Sequence, residues 1–413
     1  MERYSERMET KLFWQSSMPK HWHMIKLKYV LKKLQRSKMP NAELLICSNS
    51  GRVTKRGDNK LGLVADDDKI YQGVGKGDLL IHGMDTWHGA IAISEYDGMC
   101  TPVVHVCESN QNKSFIAYYL RNMAYEKVFK LISNGVRQNT SDFRCWDKLA
   151  AIPIILPPLT EQQDIVSYLD IKCSKLDTLV GNKEKEILLL SEMKQRIIAD
   201  AVTRGLNPNV KFKATNIPWL PEIPEHWEMS KVSSHFRQRN EKVSDKEYPA
   251  LSVSKMGVTP QLENVVLSNA EGNSRKLVKI GDYAVNSRSD RKGSCGVSKY
   301  EGSVSLIIIV LEPFDIDSGY VHYLFRSNPW IEEFYRNGRG IVADLWTTNY
   351  QMMKGMYLPV PPLSEQQTIV SYITERTAKI DSLIEKLNKE IECIKEYKQR
   401  LISDVVTGQI KVS

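Results

Sequence analysis

No apolar run in this chain approaches the roughly 20 residues that a bilayer-crossing helix needs; the longest, Ser305 to Leu311, reads as one buried strand. The first ten residues are rich in charge and lack the apolar core of a secretory signal, so a cytoplasmic location is the expectation. Cysteine is sparse. Cys47, Cys100, Cys107, Cys145, Cys173, Cys295 and Cys393 form no C-x-x-C pair, which argues against a zinc module and a disulfide framework and for reduced, packed thiols. Gly73-Val74-Gly75-Lys76-Gly77 has neither the spacing nor the hydroxyl of a phosphate loop. Asn328-Pro329-Trp330 lacks the second proline of an amino-methyltransferase signature, and no glycine-rich cofactor loop accompanies it. Asp66, Asp67 and Asp68 read as a solvated acidic turn. These absences leave no metal, nuclease, ATPase or methyltransferase site, and they point away from an enzyme acting alone.

What is present is a chain written twice. Its 413 residues suggest two or three domains, and its net charge of +8 permits nucleic-acid binding without requiring it. Leu156-Pro157-Pro158-Leu159-Thr160-Glu161-Gln162-Gln163 returns as Val360-Pro361-Pro362-Leu363-Ser364-Glu365-Gln366-Gln367, an offset of 361 − 157 = 204. The match continues through Tyr168 and Tyr372 to Lys194 and Lys398. It extends thinly backwards: Gly77-Asp78 with Gly281-Asp282, Tyr119-Leu120 with Tyr323-Leu324, and His21-Trp22-His23 with His226-Trp227-Glu228. The second copy replaces one His of that triplet, so the Trp reads as a structural anchor rather than part of a metal site. One part of each copy stayed alike and the other drifted, as befits a shared support carrying parts that meet different things.

The similar parts read as long helices. Thr160-x-x-Gln163 and Ser364-x-x-Gln367 fit a capping box, and the preceding Pro-Pro keeps the entering chain extended. Apolar residues then recur mostly at steps of three, four or seven: Leu169, Leu176, Val180, Ile187 and Ala201 in one copy, Ile373, Ile380, Leu387, Ile391, Leu401 and Val405 in the other. Each helix would run roughly 40 residues, about 60 Å. Lys194 and Lys398 interrupt equivalent places in the stripes, Gly181 invites a kink, and Gly205 and Gly408 end the helices. A pair of mates with a domain between them favours an antiparallel arrangement over a parallel one.

Residues 15–155 and 218–359 look like mixed α/β domains, with strands at Leu44–Cys47, Asp78–Ile81, Ala90–Ser94, Val103–Cys107, Ala250–Val253, Tyr283–Asn286 and Val304–Val310. Helix-like runs follow at Ser114–Ile132 and Ser318–Arg336. Basic residues gather in the loops: Arg52, Lys55, Arg56, Lys60, Lys76 and Arg137 in the first domain, Arg275, Lys276, Lys279, Arg288, Arg291, Lys292, Arg336 and Arg339 in the second. Arginine suits forked contacts to guanine edges, and lysine anchors phosphates. The stretch Asn286–Lys292 and its mate His82–His88 carry different chemistry on one frame, as readers of different base sequences would. An ordinary solvated loop remains the other reading of any single residue.

A Pro-Pro-Leu-x-Glu-Gln-Gln motif opening a long helix, repeated after a variable domain, resembles the specificity subunit of type I restriction-modification systems over almost the full chain. The resemblance implies a non-catalytic DNA-binding subunit that reads the two halves of a bipartite, asymmetric site, directing adenine methylation and cleavage by its partners. It implies two methyltransferase subunits and two motor-nuclease restriction subunits around double-stranded DNA, with S-adenosylmethionine, ATP and magnesium used by those subunits and no cofactor on this chain. The fold class expected is α/β of the α+β kind: two mixed target-recognition domains separated by two long antiparallel coiled-coil helices, with an internal pseudo-two-fold repeat. The expected boundaries are 1–150 for the first reader, 151–206 for the central spacer helix, 207–359 for the second reader and 360–413 for the last helix. Glu161, Gln162, Gln163, Tyr168, Glu365, Gln366, Gln367 and Tyr372 are assigned to the spacer and partner-docking helices. Arg52, Lys55, Arg56, Lys76, Arg137, Arg288, Arg291, Lys292 and Arg339 are assigned to DNA on chemistry alone. The competing reading is a coiled-coil adaptor that joins proteins and touches no DNA.

Overall fold

A computed structural model describes residues 2–37, 39, 42–57, 71–133, 141–244, 246–261, 274–340 and 346–412. The chain forms two compact units, residues 1–183 with 389–413 and residues 184–388. Each unit holds one α/β domain and a portion of both long helices. Among the described residues no helix is long and apolar enough to cross a membrane.

The two units repeat one plan. Each opens on a hairpin, Arg7–Leu12 with Gln15–Pro19 and Phe212–Ile217 with Leu220–Pro224. A strand follows that pairs with the one entering the long helix: His23–Lys26 with Pro153–Leu156, and Glu228–Lys231 with Tyr357–Val360. At the centre is a four-stranded antiparallel sheet. In the first unit its order is Leu31–Lys33, Val104–Ser109, Leu79–His82, Ile91–Ile93; in the second it is Phe236–Arg239, Ile308–Pro313, Tyr283–Asn286, Cys295–Val297. Helices Lys113–Tyr125 and Ser318–Phe325 pack on these sheets and bury Phe115 and Tyr320 among the core side chains.

Several expectations are corrected. Val304–Val310 is not one strand: Gly302–Ser305 and Ile308–Pro313 are separated by a turn that exposes Leu306 and Ile307, because a turn must leave the sheet's buried face. The two helix-like runs also break. Lys127 takes φ +58° ahead of Val128–Ile132, and Ser327-Asn328-Pro329 restarts the chain as Asn328–Arg336, since proline fits only the first turn. The offset in this region is 205 rather than 204. Tyr118 and Tyr323 are the true mates, each placing its hydroxyl on the long helix, at Asp170 (2.7 Å) and Thr374 (3.0 Å).

The long helices span Leu159–Arg204 and Leu363–Val406, and the first passes through Gly181 without a break. Both begin one residue before Thr160 and Ser364, so the capping box does not form. The side chain at the box's end turns away from its own helix, with Gln163 accepting from Asn112 Nδ2 at 2.8 Å. Within each unit the helices run antiparallel. In the first, Asp177 meets Lys398 at 2.6 Å and Lys183 meets Glu390; in the second, Lys194 meets Asp381 at 2.6 Å. The pairs are mates, since 177 + 204 = 381 and 194 + 204 = 398, so the lysines that interrupt the apolar stripes are its register pins. Gly205 (φ +74°) and Gly408 (φ +67°) close the helices against Trp227 and Trp22, where a Cβ would lie 3.1 Å from either indole.

The glutamines of the repeated motif fix each α/β domain to its helix. Gln162 accepts from the main-chain N–H of Asn112 (3.0 Å) and donates to Pro157 O (2.8 Å). Gln366 does the same for Asp317 (2.8 Å) and Pro361 (2.9 Å). Asn112 and Asp317 are in turn the caps of the Lys113–Tyr125 and Ser318–Phe325 helices. Gln366→Ala strands a half-buried N–H and a buried carbonyl, so unfolding in urea should show a loss of roughly 1–3 kcal/mol. Gln367→Ala, on the exposed side, should stay within about 0.5 kcal/mol of the parent.

Candidate nucleic-acid interface

Each central sheet delivers a loop from the same place. In both units a buried aspartate first sets the strand: Asp78 is ion-paired with Arg36 and accepts from Gly75 N (2.6 Å), and Asp282 pairs with Arg239 (2.7 Å) and accepts from Lys279 N (2.8 Å). Hydrogen bonding to the aspartate holds each arginine's proton more tightly than usual. The strands Leu79–His82 and Tyr283–Asn286 then run into loops closed by Gly89 (φ +77°) and Gly293 (φ +75°).

On this common frame the loop chemistry differs. In the first unit His82 Nδ1 accepts from Asp85 N (3.1 Å), Thr86 donates to His82 O (2.7 Å), and Thr86 is buried. Burial pushes the His82 pKa down, with Asp85 opposing, and this compact loop carries no lysine or arginine. In the second unit the loop is cationic and exposed. Arg288 forks onto Asp290 at 3.0 and 3.2 Å, Arg291 lies 3.6 Å from the same carboxylate, and Lys292 pairs with Glu332 at 2.9 Å. Tyr335 ties helix Asn328–Arg336 beneath it by donating to Asn286 O (2.8 Å). Beside it opens a cleft of about 620 Å³ walled by Trp219, Trp346, Lys292, Glu332 and Arg336.

The structure gathers some of the predicted residues and separates others. Arg52, Lys55 and Arg56 share the hairpin Leu45–Cys47/Val53–Lys55; Lys55 pairs with Glu43 (3.0 Å) and lies over the Tyr96 ring. Lys76 is exposed in the turn before Asp78, its N–H on Asp97 (2.8 Å), so the Tyr96–Asp97 turn links it to Lys55. Arg288, Arg291, Lys292 and Arg339 come together in the second unit. Arg137, Lys60 and Asp66, Asp67 and Asp68 lie outside the described residues. Arg275 and Lys276 are not in a loop: they lie in strand Arg275–Val278, bonded to Ser303 (2.9 Å) and Ile308 O (2.8 Å). Among the helix residues, Gln162 and Gln366 are buried, Gln163 and Gln367 are exposed, and Tyr168 and Tyr372 are half-buried under Lys172 and Arg376. Glu161 and Glu365 hold His21 and His226 at 2.8 Å each, and Trp22 donates to Glu161 (3.2 Å) as the anchor its repeat predicts. Sequence reasoning missed Trp219, Trp346 and Thr347; only Trp219 had a signal, its mate Trp14 in the first copy.

A second groove in the second unit, about 610 Å³, is lined by Lys194, Lys255, Lys292, His322, Arg326 and Asp381 among others. Burial, with Arg326 and Lys299 nearby, pushes His322 down to about 4. Below pH 6.5 the unfolded chain takes up a proton that folded His322 refuses, so stability should fall as pH drops from about 6.5 to 4 and level off below. In thermal melts across that range His322→Gln should flatten this part of the slope; an unchanged slope would assign it elsewhere.

Comparison with known proteins places these features. The family model for the type I restriction modification DNA specificity domain matches residues 19–189. The putative type I restriction enzyme MjaX specificity subunit of Methanocaldococcus jannaschii is 27% identical over 362 residues, 81% of this chain and 79% of its own length. The MjaVIII specificity subunit of the same organism is 25% identical, covering 63% of each chain. The StySPI specificity subunit of Salmonella potsdam is 22% identical, covering 72% of this chain and 65% of its own length. The alignments thus span just under two thirds of the latter two. In fold, the chain is similar to a subunit from a structure of a type I R-M system (TM-score 0.71, 15% identity, 95% of this chain and 99% of that one) and to the HsdS subunit from Thermoanaerobacter tengcongensis (TM-score 0.51, 15% identity, 95% and 98%). Fold and interface define a duplicated α+β protein whose two like frames carry unlike loops on antiparallel helices. Over most of its length the chain is similar to type I restriction-modification DNA specificity subunits, and its residues 19–189 match the family's domain model.

Proposed function

We propose that this chain is the sequence-reading subunit of a type I restriction-modification complex, carrying no chemistry itself. Each unit reads one half of a bipartite, asymmetric DNA site, the first with Arg52, Lys55, Arg56, Lys76 and Arg137, the second with Arg288, Arg291, Lys292 and Arg339. The observation that carries this reading is one frame with two chemistries: the compact loop His82–His88, without lysine or arginine, and the cationic loop Asn286–Lys292 leave equivalent strands. Packing alone would not require such a difference, whereas reading different bases does.

The helices set the unread gap and dock the partners. Leu188, Leu189 and Met193 are all more than half exposed, an apolar face suited to a partner subunit. Gln163, Gln367, Tyr168 and Tyr372 belong to the same docking role, while Gln162 and Gln366 serve it indirectly by holding the readers in place. Two methyltransferase subunits and two restriction subunits complete the assembly, bringing S-adenosylmethionine, ATP and magnesium, and the complex works on double-stranded DNA in the cytoplasm.

Mapping methylated adenines genome-wide with and without the gene tests this. One bipartite, asymmetric motif should vanish on deletion. An unchanged map, with the partner methyltransferase active on another specificity subunit, would favour the adaptor reading. In the assembled complex, affinity for that motif should also fall steeply with salt, since each neutralised phosphate adds close to one unit of log–log slope.

A further inference from the structure

At the loop that differs most from its mate, three distant segments of the second unit lie side by side. Arg339 and Thr347 exchange both main-chain hydrogen bonds, at 3.2 and 3.1 Å. On Thr347's other side lies Arg288, flanked by Ser289 N to Trp346 O (2.9 Å) and Thr348 N to Ser287 O (3.0 Å). Residues directly opposite in an antiparallel ladder put their side chains on one face. Arg288, Thr347 and Arg339 therefore form a single row. The bonded pair sets Cα atoms about 5.5 Å apart and the other pair about 4.5 Å. The two arginines thus start roughly 10 Å apart, close to three base steps of about 3.4 Å.

Their surroundings suit them to bases. The fork of Arg288 onto Asp290 uses Nε and one hydrogen of Nη2. That fixes the guanidinium plane and leaves the tip, Nη1 and the other Nη2 hydrogen, for a two-pronged contact to guanine O6 and N7. Arg339 is exposed and makes no ion pair among the described residues. Among the described residues of the first unit there is no such row: Met84 stands at the place of Arg288, with its carbonyl taken by Ser141 N at 3.0 Å.

We propose that Arg288 and Arg339 are a base-reading pair, each taking a guanine in the major groove about three base pairs from the other, with Asp290 as a positioning residue for Arg288. This rests on the chain being a DNA reader. The test uses the chain assembled with its modification partner, binding synthetic duplexes that carry the mapped motif with each base pair substituted in turn. Arg339→Ala and Arg288→Ala should each lose about ten- to hundred-fold discrimination at one G·C position of the same half-site, the two positions three base pairs apart. Discrimination in the other half-site should be unchanged, which shows that the variant folded and assembled. Asp290→Asn should relax the Arg288 position alone. Arg339→Lys should relax the Arg339 position, because an ammonium cannot make the forked contact. A half-site without guanines at that spacing, variants with unaltered preference, or uniform weakening on every duplex, as phosphate anchors would give, each overturns the pair. If the parent complex shows no sequence preference, the DNA-reading function itself falls; parent preference with unaltered variants sinks only the row.

Discussion

A glutamine side chain offers two donors and an acceptor, and when buried it must place them on groups that cannot move away. Gln162 and Gln366 place theirs on main chain at both ends: the proline carbonyl that follows a strand, and the N–H of the residue capping a helix of the same unit's α/β domain. The strand end, the start of a long helix and the reader helix are thereby joined at one point in each unit. The long helix could pack its apolar stripe without this joint, but the domain would lose the bonds that, together with Tyr118–Asp170 and Tyr323–Thr374, orient it on the helix. Hydrophobic burial gives each unit its stability, and these few polar bonds give it orientation.

Polar pairs also fix the helices lengthwise. A stripe of Leu, Ile and Val tolerates sliding by a turn, because one aliphatic side chain substitutes for another at little cost. Lys398–Asp177 and Lys194–Asp381, identical by repeat, are partly exposed and contribute little to stability. They specify register, since among the described residues each lysine is ion-paired with the equivalent aspartate of the other helix. The spacer role proposed for these helices calls for such pins more than for extra burial.

Much of this was legible in the sequence because repetition exposed it. Helix period, the glycine ends at Gly205 and Gly408, the strand Tyr283–Asn286 and the anchors Trp22 and Trp227 all sit where the residues said. Local readings failed where tertiary bonds outbid them. The capping box dissolved because Pro-Pro starts the helix a residue early and Asn112 of the same unit's α/β domain claims Gln162 and Gln163. Arg275 and Lys276 looked free for DNA but are held within their sheet. Of the interface, the contrast between the two loops could be read, but the row of Arg288, Thr347 and Arg339 could not. It depends on pairing across 347 − 288 = 59 residues, which no local pattern announces.

The central claim is that two interchangeable frames carry two separate specificities. It is tested most directly by replacing residues 207–359 with a second copy of residues 2–155, the equivalent frame, and mapping methylated adenines in cells that supply the partner subunits. The account predicts a motif whose halves are inverted copies of the first half-site, with the parental gap retained and the second half-site gone. Persistence of the second half-site, or loss of all methylation from a folded and assembled complex, would contradict it.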